Sequence, residues 1–145
     1  MSINLYLTFD GDCEEAFEFY RSVLGGEFAV MQRFSDGPPD MAGVAEGEKD
    51  RIMHVTLAFA GGVLQGSDTA QGHAGPLVKG NNFSICYSPP SRADADAAFE
   101  KLSEGGGVTM PMQETFWGSY FGMATDRFGV QWMINCSLDD GAAAA

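Results

Sequence analysis

Basic residues are scarce in this chain. Eight Lys and Arg stand against twenty Asp and Glu in 145 residues, a formal net charge of −12. Tracking a phosphate backbone requires a surface of cations, so nucleic acid and anionic membranes are excluded as partners. Acidity on this scale attracts cationic partners, and it equally keeps a soluble chain dispersed. Long hydrophobic runs are missing too: nothing approaches the roughly 20 consecutive apolar residues that span a bilayer. The N-terminus runs straight into a strand-like segment without a basic and apolar leader, so a cytoplasmic protein is expected. Cysteine is limited to Cys13, Cys86 and Cys136. They are odd in number and far apart, with neither a CxxC pair nor histidines at zinc spacing, and free thiols are expected.

What is present is enough to fold. At 45% hydrophobic residues the chain supports one ordinary domain, or two small halves sharing a core. Read for repeats, it falls into two similar halves. In the first, Asn4 to Phe9 alternates as a strand does, and Asp12 to Glu15 opens a helix at capping-box spacing. Ala16, Phe19, Tyr20 and Val23 form its predicted stripe, Gly25 and Gly26 end it, and strands follow at Glu27 to Phe34, Ile52 to Phe59 and Val63 to Asp68. The second half repeats the order. A strand at Asn82 to Tyr87 leads to a helix opened by Ser91, with the stripe Ala95, Ala98, Phe99 and Leu102 and a stop at Gly105 to Gly107. Strands near Val108 to Glu114, Gly118 to Ala124 and Val130 to Cys136 complete it. The expected class is therefore α+β, with βαβββ modules at 1–70 and 80–137 and a disordered tail at 138–145. Residues 35–50, rich in Gly, Pro and acid, are long for a connection and read either as a lid or as a solvated insertion.

Each half should cover one face of its sheet with its helix and leave the other free to line a site. Alternation assigns the free face. It places Tyr6, Thr8, His54, Thr56, Gln65 and Ser67 there in the first half, and Asn82, Ser84, Cys86, Gln131, Met133 and Asn135 in the second. Most of these are neutral donors and acceptors, which suit a small polar ligand. His54 is either a general base with Ser67 or Asp68 nearby, or a strand histidine that is only hydrogen-bonded. His73 sits in a Gly-rich loop and carries no signal. Cys13 lies near a helix N-terminus, which lowers a thiol pKa, but Glu14 and Glu15 oppose that effect.

The block from Gln113 to Gly122 and on through Thr125 to Asn135, together with Asp10-Gly11-Asp12, Phe19-Tyr20 and Gly66-Ser67-Asp68, resembles the PhnB-like branch of the vicinal-oxygen-chelate superfamily. That superfamily includes glyoxalase I, bleomycin-resistance proteins and extradiol dioxygenases. The resemblance runs from about Leu5 to Cys136. It implies two βαβββ modules forming a curved mixed sheet with a central cleft, and a homodimer. It also adds Glu114, Phe116, Trp117 and Tyr120 as candidate ligand contacts or as parts of a core or dimer interface. The metal positions of the superfamily fall on Leu5 or Tyr6, Gln65, Asn82 and Met133. First-row divalent ions prefer imidazole, carboxylate or thiolate, so no resident metal or other cofactor is expected here. The methyltransferase label attached to this branch finds no support, since no Gly-rich loop joins a strand to a helix to hold a nucleoside cofactor. Three readings remain: a metal-free binder of a small organic molecule, cationic ones included; a metal- or His54-assisted lyase, isomerase or dioxygenase; and a non-catalytic interaction protein.

Overall fold

The computed structural model describes residues 1–72 and 75–138, so His73 and the predicted tail beyond Leu138 lie outside the described residues. The elements are β1 (Leu5–Phe9), α1 (Cys13–Leu24), β2 (Glu27–Arg33), β3 (Ile52–Phe59), β4 (Gly62–Asp68), β5 (Ile85–Tyr87), α2 (Arg92–Ser103), β6 (Gly107–Glu114), β7 (Ser119–Thr125) and β8 (Gln131–Ser137). They form two compact units, Met1–Val78 and the remainder from Lys79. Each holds one mixed four-stranded sheet, ordered β1-β4-β3-β2 in the first unit and β5-β8-β7-β6 in the second. In each sheet the first strand pairs parallel with the last, and the other two pairs are antiparallel. The βαβββ order read from the sequence is the order observed, and the class is α+β.

In the first unit the start of α1 is organised by a residue distant in sequence that ends the strand beside β1. Asp12 occupies the N-cap position but makes no side-chain capping bond, contrary to the capping-box expectation. Instead Oδ1 of Asp68, the last residue of β4, accepts from the backbone N–H of Gly11 at 2.8 Å and of Cys13 at 3.0 Å. Its Oδ2 accepts from the N–H of Ile52 at 2.9 Å, and the side chain is buried. One carboxylate thereby satisfies donors at the entry of α1 and of β3. Pinning Cys13 inward turns the helix relative to the predicted stripe. The residues buried are Cys13, Ala16, Phe17 and Tyr20 rather than Phe19 and Val23. Gly66 makes room for this: a Cβ there would lie 2.7 Å from the Phe17 ring. The Gly66-Ser67-Asp68 run thus combines clearance for a helix side chain, a position on the open face and a cap.

Strand β3 does not alternate throughout as predicted. Ile52 and Val55 are both buried, and Met53 is not. The pairing with β2 shifts between Gln32 and Arg33, so that two residues of β3 oppose one of β2 and the side-chain parity is reset. Residues 35–50 are tied down rather than extended. Ser35 N–H donates to the Lys49 carbonyl at 2.9 Å, Gly72 N–H donates to the Gly43 carbonyl at 2.8 Å, and the Glu48 carboxylate accepts from Ala45 and Gln71 N–H. Those backbone bonds hold the Glu48 carboxyl below its ordinary range.

The second unit has its own buried carboxylate. Asp126 Oδ1 accepts from Phe128 and Val130 N–H at 2.9 and 3.0 Å, closing the turn before β8, and Oδ2 accepts from the Trp132 indole at 2.9 Å. Helix α2 starts as the sequence predicts, with Ser91 Oγ accepting from Asp94 N–H at 3.1 Å. Ala95, Ala98 and Leu102 are buried, as are Tyr120, Ala124, Trp132 and Ile134 of the sheet. Gly122 is the counterpart of Gly66, since a Cβ there would meet the Phe99 ring at 3.0 Å. Strand β5 is shorter than predicted. Asn82 and Phe83 precede it because the Gln131 side-chain amide donates to the Phe83 carbonyl at 3.1 Å and the Gly80 carbonyl at 3.4 Å, standing in for a backbone ladder.

Asp68→Ala should leave three N–H groups without their acceptor, those of Cys13 and Ile52 buried, and destabilise the fold by about 3 kcal/mol or more. Asp68→Asn, which keeps one oxygen acceptor, should fall between, as read from urea midpoints. Cys13 is fully buried, and its thiol is pushed up beyond the ordinary range, first by burial and then by the charges of Asp68, Asp12 and Glu14. Because folding raises this pKa, its stabilising contribution is present below the ordinary thiol value of about 8.5 and is lost as pH rises above it. With Cys136 also buried and Cys86 exposed, a thiol reagent should titrate one fast group, and Cys86→Ser should remove it.

Candidate functional site

In the first unit the open face is built from rows of side chains running across the strands. Backbone register places Tyr6 beside Gln65, Gln65 beside Thr56 and Thr56 beside Val30, a row spanning β1, β4, β3 and β2. A second set lies alongside: Thr8 beside Ser67, and His54 beside Gln32. The Tyr6 hydroxyl is 3.2 Å from His54 Nδ1, and Thr56 Oγ1 is 3.0 Å from Nε2. The phenol and imidazole rings stack with centroids 5.7 Å apart. A neutral imidazole donates from one nitrogen and accepts at the other, and hydroxyls satisfy either role, so His54 is oriented without a carboxylate. Of the two readings of His54, the hydrogen bonds shown are to Tyr6 and Thr56 rather than to Ser67 or Asp68. Asp68 is occupied with backbone N–H groups on the helix side, whereas His54 sits between two hydroxyls on the other.

In the second unit the open face holds Gln131, Met133, Asn135 and Ser137 of β8 and Ser119, Phe121, Met123 and Thr125 of β7, because the intervening residues are the buried ones. Asn135 pairs with Phe121, and Phe121 with Gln113. The Oδ1 atom of Asn135 is buried and has no hydrogen-bond donor among the described residues. Trp117 makes an edge contact with Phe121 at 6.1 Å and another with Phe116 at 5.0 Å. Trp117 is half exposed, and Phe116 is almost wholly exposed at the tip of the β6–β7 hairpin.

Several predicted positions stand apart from these faces. Tyr120 points to the helix side, is buried, and donates its hydroxyl to Asp96 of α2. That hydrogen bond, with burial and the Asp96 charge, raises its pKa against the opposing effect of Arg92. Glu114 pairs with Tyr120 across β6 and β7 and takes Arg92 Nη1 at 2.7 Å, while the same guanidinium lies 4.0 Å from the Tyr120 ring centre. Their place in the site gives way to a brace between α2 and the sheet. Asn82 is exposed outside β5, and Ser84 immediately precedes that strand. Cys86 lies on the open face as alternation predicts, while Phe121, Met123, Met110 and Gln113 were not among the predicted positions. Parity in β7 carries the missing signal, since Gly122 and Ala124 are the small residues that let α2 approach and so put Phe121 and Met123 on the open side.

Divalent-metal chemistry is tested by the donor set. As Tyr6 lies beside Gln65 in the first unit, Cys86, not Asn82, lies beside Met133 in the second. A phenol, an amide, a thiol and a thioether make a poor first shell for a first-row divalent ion. Among the described residues no three His, Cys, Asp or Glu converge in a metal-binding group. The first unit also has a cleft of about 730 Å³ lined by Asp10, Glu48, Thr69, Gln71 and Leu77. It is separate from the open face, and its carboxylates are already engaged, Asp10 by Arg51 at 2.8 Å and Glu48 by backbone. Among the described residues no helix is long and apolar enough to cross a membrane.

Comparison with known proteins places these two units in a family. The chain is 32% identical over 139 residues to Protein YjdN of Escherichia coli (strain K12), covering 93% of this chain and 95% of that protein. The crystal structure of protein PA1353 from Pseudomonas aeruginosa is 42% identical and superposes with a TM-score of 0.85 over 96% of this chain and 99% of that one. A PhnB protein from Bacillus cereus shares the fold at 22% identity and a TM-score of 0.75, covering 94% and 100% of the two chains. The family model matches residues 2–134, and the chain belongs to the Glyoxalase/Bleomycin resistance protein/Dioxygenase superfamily.

Proposed function

We propose that this chain binds a small organic molecule on its open faces without a resident divalent metal. The observation that carries the reading is Asn135 Oδ1, a buried acceptor with no donor among the described residues. Burying an amide oxygen unpaired costs about 1–3 kcal/mol, a deficit that a ligand N–H or O–H removes. Phe121 beside it, backed by Trp117, offers an aromatic surface on which the body of such a molecule can lie. The first unit, taken by itself, carries Tyr6, Thr56, Gln65 and Ser67 on its own open face, none of them charged. Neutral partners accept amides, alcohols and ammonium groups alike, and the acidic chain as a whole favours cations over free anions.

His54 supports a second reading, proton transfer to or from a bound substrate. Its two nitrogens are held between the half-exposed Tyr6 hydroxyl and Thr56. Tyr6 would then meet the substrate, with His54 supplying or taking the proton behind it. His54→Gln and Tyr6→Phe would both lower kcat in that case, whereas for a pure binder they change affinity alone.

Asn135→Leu separates binding from folding. Replacing an unsatisfied buried amide by an apolar side chain of similar size should stabilise the free protein by about 1 kcal/mol. It should also abolish the thermal stabilisation given to the wild type by members of a fragment panel of primary amides, alcohols and ammonium compounds. A less stable variant that still gains full protection from the same fragment would overturn the assignment of Asn135.

A further inference from the structure

The row in the second unit that corresponds to Tyr6, Gln65, Thr56 and Val30 has a different chemistry. Register places Cys86 beside Met133, Met133 beside Met123 and Met123 beside Met110, so that four sulfur side chains run across β5, β8, β7 and β6. The row lies on the open face, because Ile85, Trp132, Ala124 and their neighbours occupy the helix side. Cys86 is the exposed one of the three free cysteines, so it meets solutes at the edge of the sheet. The flanking rows are uncharged: Gln131 and Thr125 on one side, and Asn135, Phe121 and Gln113 on the other.

We propose that Cys86, Met133 and Met123 form a site for a soft monovalent cation of the Cu(I) class. A thiolate alone serves Zn(II) as well, but a set with two thioethers and a single thiolate favours such ions over Zn(II) and the harder divalent metals. Strands are about 4.8 Å apart, so the outer two sulfurs of the trio start about two spacings from each other, and the flexible methionine side chains can lean toward an ion near Met133. Charge sets the valence. On binding, the Cys86 thiol gives up its proton to solvent and forms the metal–thiolate bond, while the two thioethers each donate a lone pair. One thiolate cancels one positive charge, and no carboxylate in the flanking rows is available to balance a second. No electron is transferred in this step. Met110 extends the row by one more sulfur beyond the trio. The site rests on strand register and donor type, independently of the unsatisfied oxygen of Asn135.

Ag(I), which has the same preferences and does not change oxidation state, is the probe. The reduced full-length chain carrying 13C-methyl methionine is titrated with silver nitrate in chloride-free buffer, and Cu(I) affinity is measured by competition with bicinchoninate. One equivalent of Ag(I) should shift the methyl signals of Met133 and Met123 and leave that of Met112, which faces α2, in place. Met133→Leu and Met123→Leu, which conserve volume and should keep the thermal midpoint near wild type, should each weaken Cu(I) binding by more than about tenfold. Cys86→Ser should weaken it further. Uptake that depends on Cys86 but is unchanged in both leucine variants, with unshifted methyl signals, would mean a lone thiol and overturn the proposal. Failure to retain one equivalent would overturn it as well.

Discussion

Much of the first unit depends on one buried carboxylate. Asp68 ends β4, yet its oxygens receive N–H groups from the turn into α1 and from the start of β3, segments far apart in the chain. Helix, parallel pair and antiparallel pair therefore meet at a single side chain. A charge out of water is costly, and three charge-assisted hydrogen bonds offset that cost while fixing where each segment begins. Asp126 performs a comparable task for the turn before β8, with Trp132 as its third donor. Each unit thus orients its helix-facing core with an acid, leaving the opposite face free of that duty.

The sequence was most legible where periodicity and stop signals agreed. The order of elements, the Ser91 cap and the polar or apolar faces of β8 follow from local rules, and the structure reproduces them. Legibility failed where a distant group overrides a local one. Asp12 has the spacing of a cap, but Asp68 reaches the helix end first, so the buried stripe turns toward Cys13 and Phe17. The extra residue near Met53 reverses parity within β3 without any Gly or Pro to announce it. Glu114 and Tyr120 match a family motif that does not state which way a side chain faces, and the pairing of β6 with β7 puts both against α2. The first-strand position of the second unit was misplaced onto Asn82 because the side chain of Gln131 imitates a strand partner for the segment before Ile85.

The two sheets share topology while their equivalent open rows differ in chemistry. Tyr6, Gln65 and Thr56 present oxygen and nitrogen at positions where the other unit presents the sulfurs of Cys86, Met133 and Met123. A duplicated scaffold permits this because the helix-side residues carry stability, and the alternate positions are released from it. Substitution on an open face is therefore constrained by what it meets there more than by the fold beneath.

The bulges also bear on which borders of each sheet could pair with another chain. Within its own sheet β2 is an outer strand whose register breaks twice, β6 is an outer strand with two breaks and Pro111, and β5 offers only three paired residues. Interrupted borders of this kind give an incoming strand no continuous ladder on which to grow. At these three strands the hindrance to edge-to-edge pairing lies in backbone geometry and would persist at salt concentrations that screen the acidic surface, whereas β1, the remaining outer strand, pairs without a break over Leu5–Phe9.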